Sequence, residues 1–168
     1  MRNMIITISR ETGSGGHTVG KMLAERLGYA FYDKEIIQEV AREMHLDKKT
    51  VLENGETMSD QTYMDMVSGY ILAGRKDAFH VFIHADMVYR IARVQRHDGI
   101  TGEERWIRRE LEVKDHSRGM FYQYFSGREW GKVGNYNLMI DTGVFTKTQS
   151  VELILDALEK YQGGRNNA

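Results

Sequence analysis

Residues 5–28, IITISRETGSGGHTVGKMLAERLG, decide how this chain folds. Met4–Ile8 is an apolar run that fits a short buried strand. From about Thr18 to Leu27, Val19, Met22, Leu23 and Leu27 share one face of a helix. Gly13, Gly15 and Gly16 stand between the two, and Gly20 follows closely. Such a turn aims several backbone N–H groups, and the positive end of the helix dipole, at one point. That point is a ready anion site, with phosphate its usual occupant. Glycine serves there because the loop must take positive φ and let a ligand come close to the backbone. The predicted cradle is therefore Gly13, Ser14, Gly15, Gly16, His17 and Thr18. A tight strand-to-helix connection is the plainer reading. Four glycines within Gly13–Gly20, directly behind a strand, favour the cradle over it.

The loop departs from the regular phosphate-binding pattern. Lined up on G-x-x-x-x-G-K-[ST], Arg10 stands at the first glycine, Gly15 at the second, Gly16 at the lysine and His17 at the Ser/Thr. The spacing is kept and the lysine is gone. A dinucleotide site is excluded on detail, because no acidic residue ends a well-defined second strand roughly 20 residues on.

A chain of 168 residues suits one domain with a substantial core. Hydrophobic content of 41% and charged content of 28% are those of an ordinary globular protein. With 23 basic against 24 acidic residues the net charge is −1, which argues against bulk nucleic-acid binding. No cysteine is present, so disulfides, thiolate metal sites and cysteine nucleophiles are excluded. That composition fits the reducing cytoplasm, the expected location. The N-terminus runs straight into a strand, so no signal peptide is expected. No apolar run approaches a membrane span.

Farther along, Tyr29–Tyr32 reads as a short strand, and Asp33 as an N-cap for a helix over Lys34–His45. Asp47–Gln61 is polar, and Thr62–Leu72 has weak helical character. Phe79–His84 (FHVFIH) is a second buried strand, followed by a helix over Asp86–His97. Thr101-Gly-Glu-Glu104 reads as a capping box that opens a long helix reaching about Phe125. Gly127–Gly134 is loop, Asn137–Asp141 a strand, and Ser150–Tyr161 a terminal helix. Alternating strands and helices predict a three-layer α/β/α fold around a parallel sheet.

With the glycine loop placed, the chain resembles the cytidylate kinase-like family, a divergent branch of the P-loop nucleoside-monophosphate kinases. ITISRETGSGGHTVGKMLAERLGYAFYDKEII, YILAGRKDAFHVFIHADMVYRIARV, and the segment from Asp115 through FSGREWGKVGNYNLMID carry the resemblance. Within that branch the lysine-free loop beginning Ser-Arg-Glu is the usual form. The resemblance implies one nucleoside-monophosphate-kinase-like domain over residues 1–162, a helical lid over about 86–126, and a frayed tail over 163–168. It also implies transfer of the ATP γ-phosphoryl group, with Mg²⁺, to a pyrimidine nucleoside monophosphate. The partners would be a nucleotide donor and a small-molecule acceptor, with no nucleic acid and no membrane. One departure stands out: Tyr70-Ile71-Leu72 follows SDQTYMDMVSG, where the family carries a strand ending in Gly-Arg-Cys-Ala. Three or four strands are therefore expected in place of five. A second copy could lend the missing strand, so a homodimer is one expectation.

The resemblance assigns roles residue by residue. Backbone amides of Gly13–Thr18 would hold the donor phosphates, and Thr18 or the Ser14 hydroxyl would ligate Mg²⁺. Arg10, ahead of Lys21, would replace the missing lysine charge, because its planar donors suit phosphate oxygens. Asp33 would contact the acceptor nucleoside. Arg90, Arg93 and Arg96 recur on one helix, and Arg105, Arg108 and Arg109 open the next. Their plain reading is a solvated face laced by pairs worth roughly 0.2–0.5 kcal/mol each. In the kinase reading they belong to the lid, with Arg108 and Arg109 brought to the phosphates on closure. Asp115 and Arg118 form the D-x-x-R motif by which cytidylate kinases recognise a pyrimidine monophosphate, an acceptor beside a bidentate donor. The plain alternative is an intrahelical salt bridge facing solvent. Phe121, Tyr122, Tyr124, Phe125 and Trp130 are expected to pack the lid end, and Asp141-Thr142 to lie near the adenine. Two other functions stay open: a non-catalytic nucleotide- or phosphate-binding relic, and a P-loop kinase with a non-nucleotide acceptor.

Overall fold

The computed structural model describes residues 4–31 and 77–165. In them β1 (Ile5–Arg10) leads through the glycine loop to α1 (Gly16–Leu27). Then come β2 (Ala78–His84), α2 (Met87–His97), α3 (Glu104–Ser126), a 3-10 turn at Val133–Asn135, β3 (Leu138–Asp141) and α4 (Lys147–Arg165). Asp33, the helix expected over 34–45 and the segments 47–61 and 62–72 lie outside the described residues.

The strands form one parallel sheet in the order β1-β2-β3. Ile5 to Arg10 pair with Ala78 to Ile83, and Val81 to His84 with Leu138 to Asp141. The central strand is apolar on both faces because a parallel sheet is covered on both sides. On one face Phe79, Val81 and Ile83 join Val19 and Leu23 of α1, Ile140, and Val151, Ile154 and Leu158 of α4. Side chains alternate along a strand, so Phe82 points to the other face. There Trp130 meets it edge-on at 5.3 Å, and Tyr136 lies at 4.8 Å. A smaller cluster, Ile91, Val94, Ile107 and Leu111, joins α2 to α3. No helix among the described residues is long and apolar enough to cross a membrane.

Several boundaries differ from the sequence expectation, each for a local reason. Helix α1 starts at Gly16, because Gly15 in the left-handed region (φ 87°) already caps it. Residues 29–31 form no strand. Gly28 turns left-handed (φ 64°), and the Tyr29 amide donates back to Ala24 O at 2.9 Å, a helix-closing motif that redirects the chain. The capping box at Thr101 does not form: α3 begins at Glu104 with Glu103 as cap, and Gly102 at φ 142° sets Thr101 apart. Helix α4 begins at Lys147, before the predicted Ser150. Its true capping box is Thr146-x-x-Gln149, whose side chains and amides exchange bonds of 2.9 and 3.2 Å. Gly163 to Arg165, expected to fray, continue that helix.

Candidate functional site

The loop after β1 is held by short-range bonds. The Glu11 amide donates to Ile83 O at 3.0 Å, extending the strand pairing by one step. The Ser14 amide and hydroxyl both donate back to Glu11 O, at 3.2 and 2.9 Å. Gly13 and Gly15 take φ of 83° and 87°, which an L side chain rarely adopts. From below, the buried Thr142 hydroxyl lies 2.6 Å from Ser14 O and 3.1 Å from His84 O, tying the loop to the ends of β2 and β3. The first-turn amides of Gly16, His17 and Thr18 have no intrahelical acceptor by construction, and they point out of the helix N-terminus.

Neighbouring side chains leave no room for larger residues in this loop. A Cβ on Gly13 would stand 3.1 Å from both Arg90 O and Val94 Cγ1. On Gly16 it would stand 2.7 and 2.9 Å from Cβ and Cδ of Arg10. Gly16 is where the regular pattern has its lysine, so Arg10 fills the space that a lysine stem would need. Arg10 is the last residue of β1 and not part of the loop itself. Lys21 is exposed on α1.

A buried charge network joins the loop to α2 and α3. Asp115 Oδ1 accepts from the Thr12 amide at 2.8 Å and the Thr12 hydroxyl at 2.6 Å. Asp115 Oδ2 accepts from Arg90 Nη1 at 2.6 Å. That same nitrogen lies 3.2 Å from Glu11 Oε2, which also accepts from the Ala85 amide at 3.1 Å. Arg118 Nη1 donates to the Thr12 hydroxyl at 2.6 Å and lies 3.4 Å from Asp115 Oδ1. The side chains of Arg90 and Arg118 are 4% and 9% exposed, so the D-x-x-R pair lies against the loop and not on a solvent face. With two cations, two carboxylates and a hydroxyl mutually paired, this interior charge is balanced, which is the condition for burying it.

The other candidate residues are placed differently. Arg108 pairs loosely with Glu104 at 3.7 Å on an exposed face, and Arg109 is exposed. No contact among the described residues brings either to the loop. Thr18 is half-buried in the first turn of α1, and His17 is exposed with its ring edge-on to Phe31. The Ser14 hydroxyl, an alternative metal ligand, is wholly buried and donates to Glu11 O. Phe121 and Tyr122 are buried as expected, whereas Tyr124 is 81% exposed. The side chain of Phe125 lies outside the described residues.

Glu11, Thr12, Arg90, Arg93 and Lys147 escape a reading by residue type. Arg90 looks like one of three arginines on a wet face. A signal was present, though: it stands three residues after Met87 and four before Val94, on the apolar face of α2.

Beyond the carboxyl ends of β2 and β3 an open pocket of about 520 Å³ is lined by Glu11, His84, Asp86, Trp130, Met139 and Asp141, among others. Ligands of open α/β sheets bind outside such strand ends. Tyr136 packs on Phe82 of the lining, and burial pushes its hydroxyl up to about 12, although the Gly131 amide donates to it at 3.3 Å. Burial also raises Tyr122, with Arg128 opposing. No group of three or more His, Asp or Glu among the described residues could hold a metal ion.

Residues 5–70 and 63–144 match the model of the cytidylate kinase-like family. The two segments overlap over 63–70, in the stretch where the Gly-Arg-Cys-Ala strand was missed. A cytidylate kinase of Methanosarcina mazei is 22% identical over 182 residues, covering 95% of this chain and 99% of the relative. That alignment is longer than the chain, so the relative has residues with no counterpart here. Among solved structures, an uncharacterized protein of Eubacterium ventriosum superposes with a TM-score of 0.72 at 24% identity, over 94% of this chain and 99% of that one. Shikimate kinase of Acinetobacter baumannii, in complex with shikimate, gives 0.55 at 16% identity over 95% of each. The fold is thus the α/β fold of P-loop kinases. Matched by the family model over most of its length, the chain belongs to the cytidylate kinase-like family.

Proposed function

We propose that the protein is an ATP-dependent nucleoside-monophosphate kinase that prefers pyrimidine acceptors. A phosphate oxygen of the acceptor attacks the γ-phosphorus, the bond to the β–γ bridging oxygen breaks, and ADP leaves. Such transfer asks a protein for positioning and positive charge more than for covalent chemistry. The observation that carries the reading is the direct bonding of Thr12, beside the glycine loop, to Asp115 of the D-x-x-R pair. It supports reading Gly13–Thr18 as a donor cradle with Asp115 and Arg118, as the acceptor-selecting pair, beside it.

The loop suits a phosphate chain: its glycines leave open backbone where Cβ atoms would intrude, and its first-turn amides face outward. Gly13–Thr18 would hold the donor, and Arg10 would lend charge beside Gly16. Asp33 would meet the acceptor nucleoside, and Asp115 and Arg118 its base or phosphate. Arg108 and Arg109 would reach the phosphates as α2 and α3 close as a lid on a single domain, residues 1–162. Mg²⁺, which Thr18 would help hold, neutralises the transferring charge when bound. The cysteine-free composition supports a cytoplasmic setting.

The test is ADP formation from ATP and Mg²⁺ across a panel of nucleoside monophosphates. CMP is expected to be turned over best, and Asp115→Ala and Arg118→Ala are expected to flatten that preference. The engagement of Asp115 by four protein donors favours one rival, a non-catalytic nucleotide-binding relic. ATP binding with no turnover of any monophosphate would establish that rival instead.

A further inference from the structure

We infer that Arg93 of α2 and Lys147 of α4 form a cationic clamp over Gly15 that grips the polyphosphate of the donor. This rests on the reading of the loop as a nucleoside-triphosphate site, and adds which side chains carry the charge the lysine would have brought. A Cβ built on Gly15 would stand 3.1 Å from Arg93 Nε and 3.4 Å from Lys147 Cε. The two side chains come from different helices, after β2 and after β3, and converge on one point of the loop.

Among the described residues Arg93 has only a loose ion pair and Lys147 has none. Arg93 Nε is buried and has no hydrogen-bond partner among the described residues. Its Nη1 lies 3.6 Å from the half-exposed Asp98 carboxylate, too far for a hydrogen bond. Lys147 is half-buried, and no carboxylate among the described residues lies within ion-pair distance of it. Two like charges meeting in a partly dehydrated place repel each other, and an anion between them turns that cost into attraction. The Nε atoms of Arg90 and Arg118 are buried without a partner too, but their Nη1 atoms are committed to Asp115 and Thr12, whereas no hydrogen bond among the described residues holds Arg93. Gly15 also adds no side chain of its own and sits at the helix N-terminus, so an anion there meets amides from below and two cations from above.

The experiment is titration calorimetry of the full chain with ATP and with adenosine. The proteins are wild type, Arg93→Gln, Lys147→Gln, the double variant and Lys147→Arg. Lys160→Gln, on the exposed face of the same helix, controls for net charge. Each single glutamine variant should weaken ATP about tenfold, and the double more, as expected for losing a charge-assisted contact. Adenosine binding and the thermal midpoint should stay unchanged, and Lys147→Arg should restore most of the ATP affinity. If Arg93→Gln lowers the midpoint, the half-exposed Lys147 variants decide alone. Equal ATP affinity in wild type and double variant would overturn the clamp while leaving the loop reading intact. A wild type that binds no ATP would overturn the loop reading, and the clamp with it.

Discussion

Asp115 and Thr12, 103 residues apart, are joined twice: the Thr12 amide and hydroxyl both donate to Oδ1 of Asp115, at 2.8 and 2.6 Å. The other oxygen of that carboxylate holds Arg90, so one side chain of α3 binds the loop and α2 together. Any movement of α3 as a lid has to break or carry these bonds.

Asp115→Ala should therefore destabilise the fold as well as alter selectivity. It leaves Arg90, 4% exposed, with Glu11 as its one carboxylate partner among the described residues. Removing one member of a buried ion pair costs about 3–5 kcal/mol. Thr12→Val, which strips one hydroxyl, should cost about 1–3 kcal/mol. Urea denaturation measures both, and an Asp115→Ala midpoint equal to wild type would show the network to be energetically idle.

Putting the pattern lysine back, as Gly16→Lys, should not improve the donor site. Arg10 Cβ and Cδ already stand where the new stem must begin. The variant is expected to lose stability and gain no ATP affinity, and adding Arg10→Ala should not rescue it, because the nearer clash, 2.7 Å, is with the Cβ that alanine keeps. In the wild-type background, Arg10→Ala should weaken ATP more than Lys21→Ala, since Lys21 is exposed. Calorimetry giving the reverse order would remove Arg10 from the donor site.

Tyr136 makes the fold sensitive to alkali. Its folded-state value, raised by burial to about 12, lies above the ordinary 10. The folded protein thus keeps the proton that the unfolded chain gives up. The stabilisation is complete below pH 10 and is lost as pH rises from 10 towards 12. Tyr136→Phe should flatten this decline, at the cost of the bond from the Gly131 amide. Melting temperatures measured between pH 8 and 11 check it; identical slopes for the two proteins would refute it.

The elements lying on apolar periodicity were legible at once. Strands β1, β2 and β3, and the stripe of Val19, Met22, Leu23 and Leu27 on α1, follow from short apolar runs and from the helical spacing of residues whose burial drives folding. The glycine loop was legible too, because positive φ at Gly13 and Gly15 demands that residue type locally. Boundaries set by hydrogen bonds were less so. The Thr101 box and the Thr146 box read alike in sequence, and only φ 142° at Gly102 spoils the first.

What the sequence determined by itself was the strand–glycine loop–helix unit, the α/β class, and the pairing of Asp115 with Arg118 on one helical turn. All of these depend on neighbours within a few residues. Which charges meet was decided by tertiary structure alone. Arg90, Arg93 and Arg96 share a helix and a residue type, yet the first is buried against Asp115 and Glu11. The second lies over Gly15 with Lys147, and the third is exposed. The parallel sheet makes that choice: it brings the carboxyl ends of β1, β2 and β3 side by side, so the segments that leave them converge on one loop. The energy of a charge depends on what surrounds it there, and side-chain identity does not carry that information.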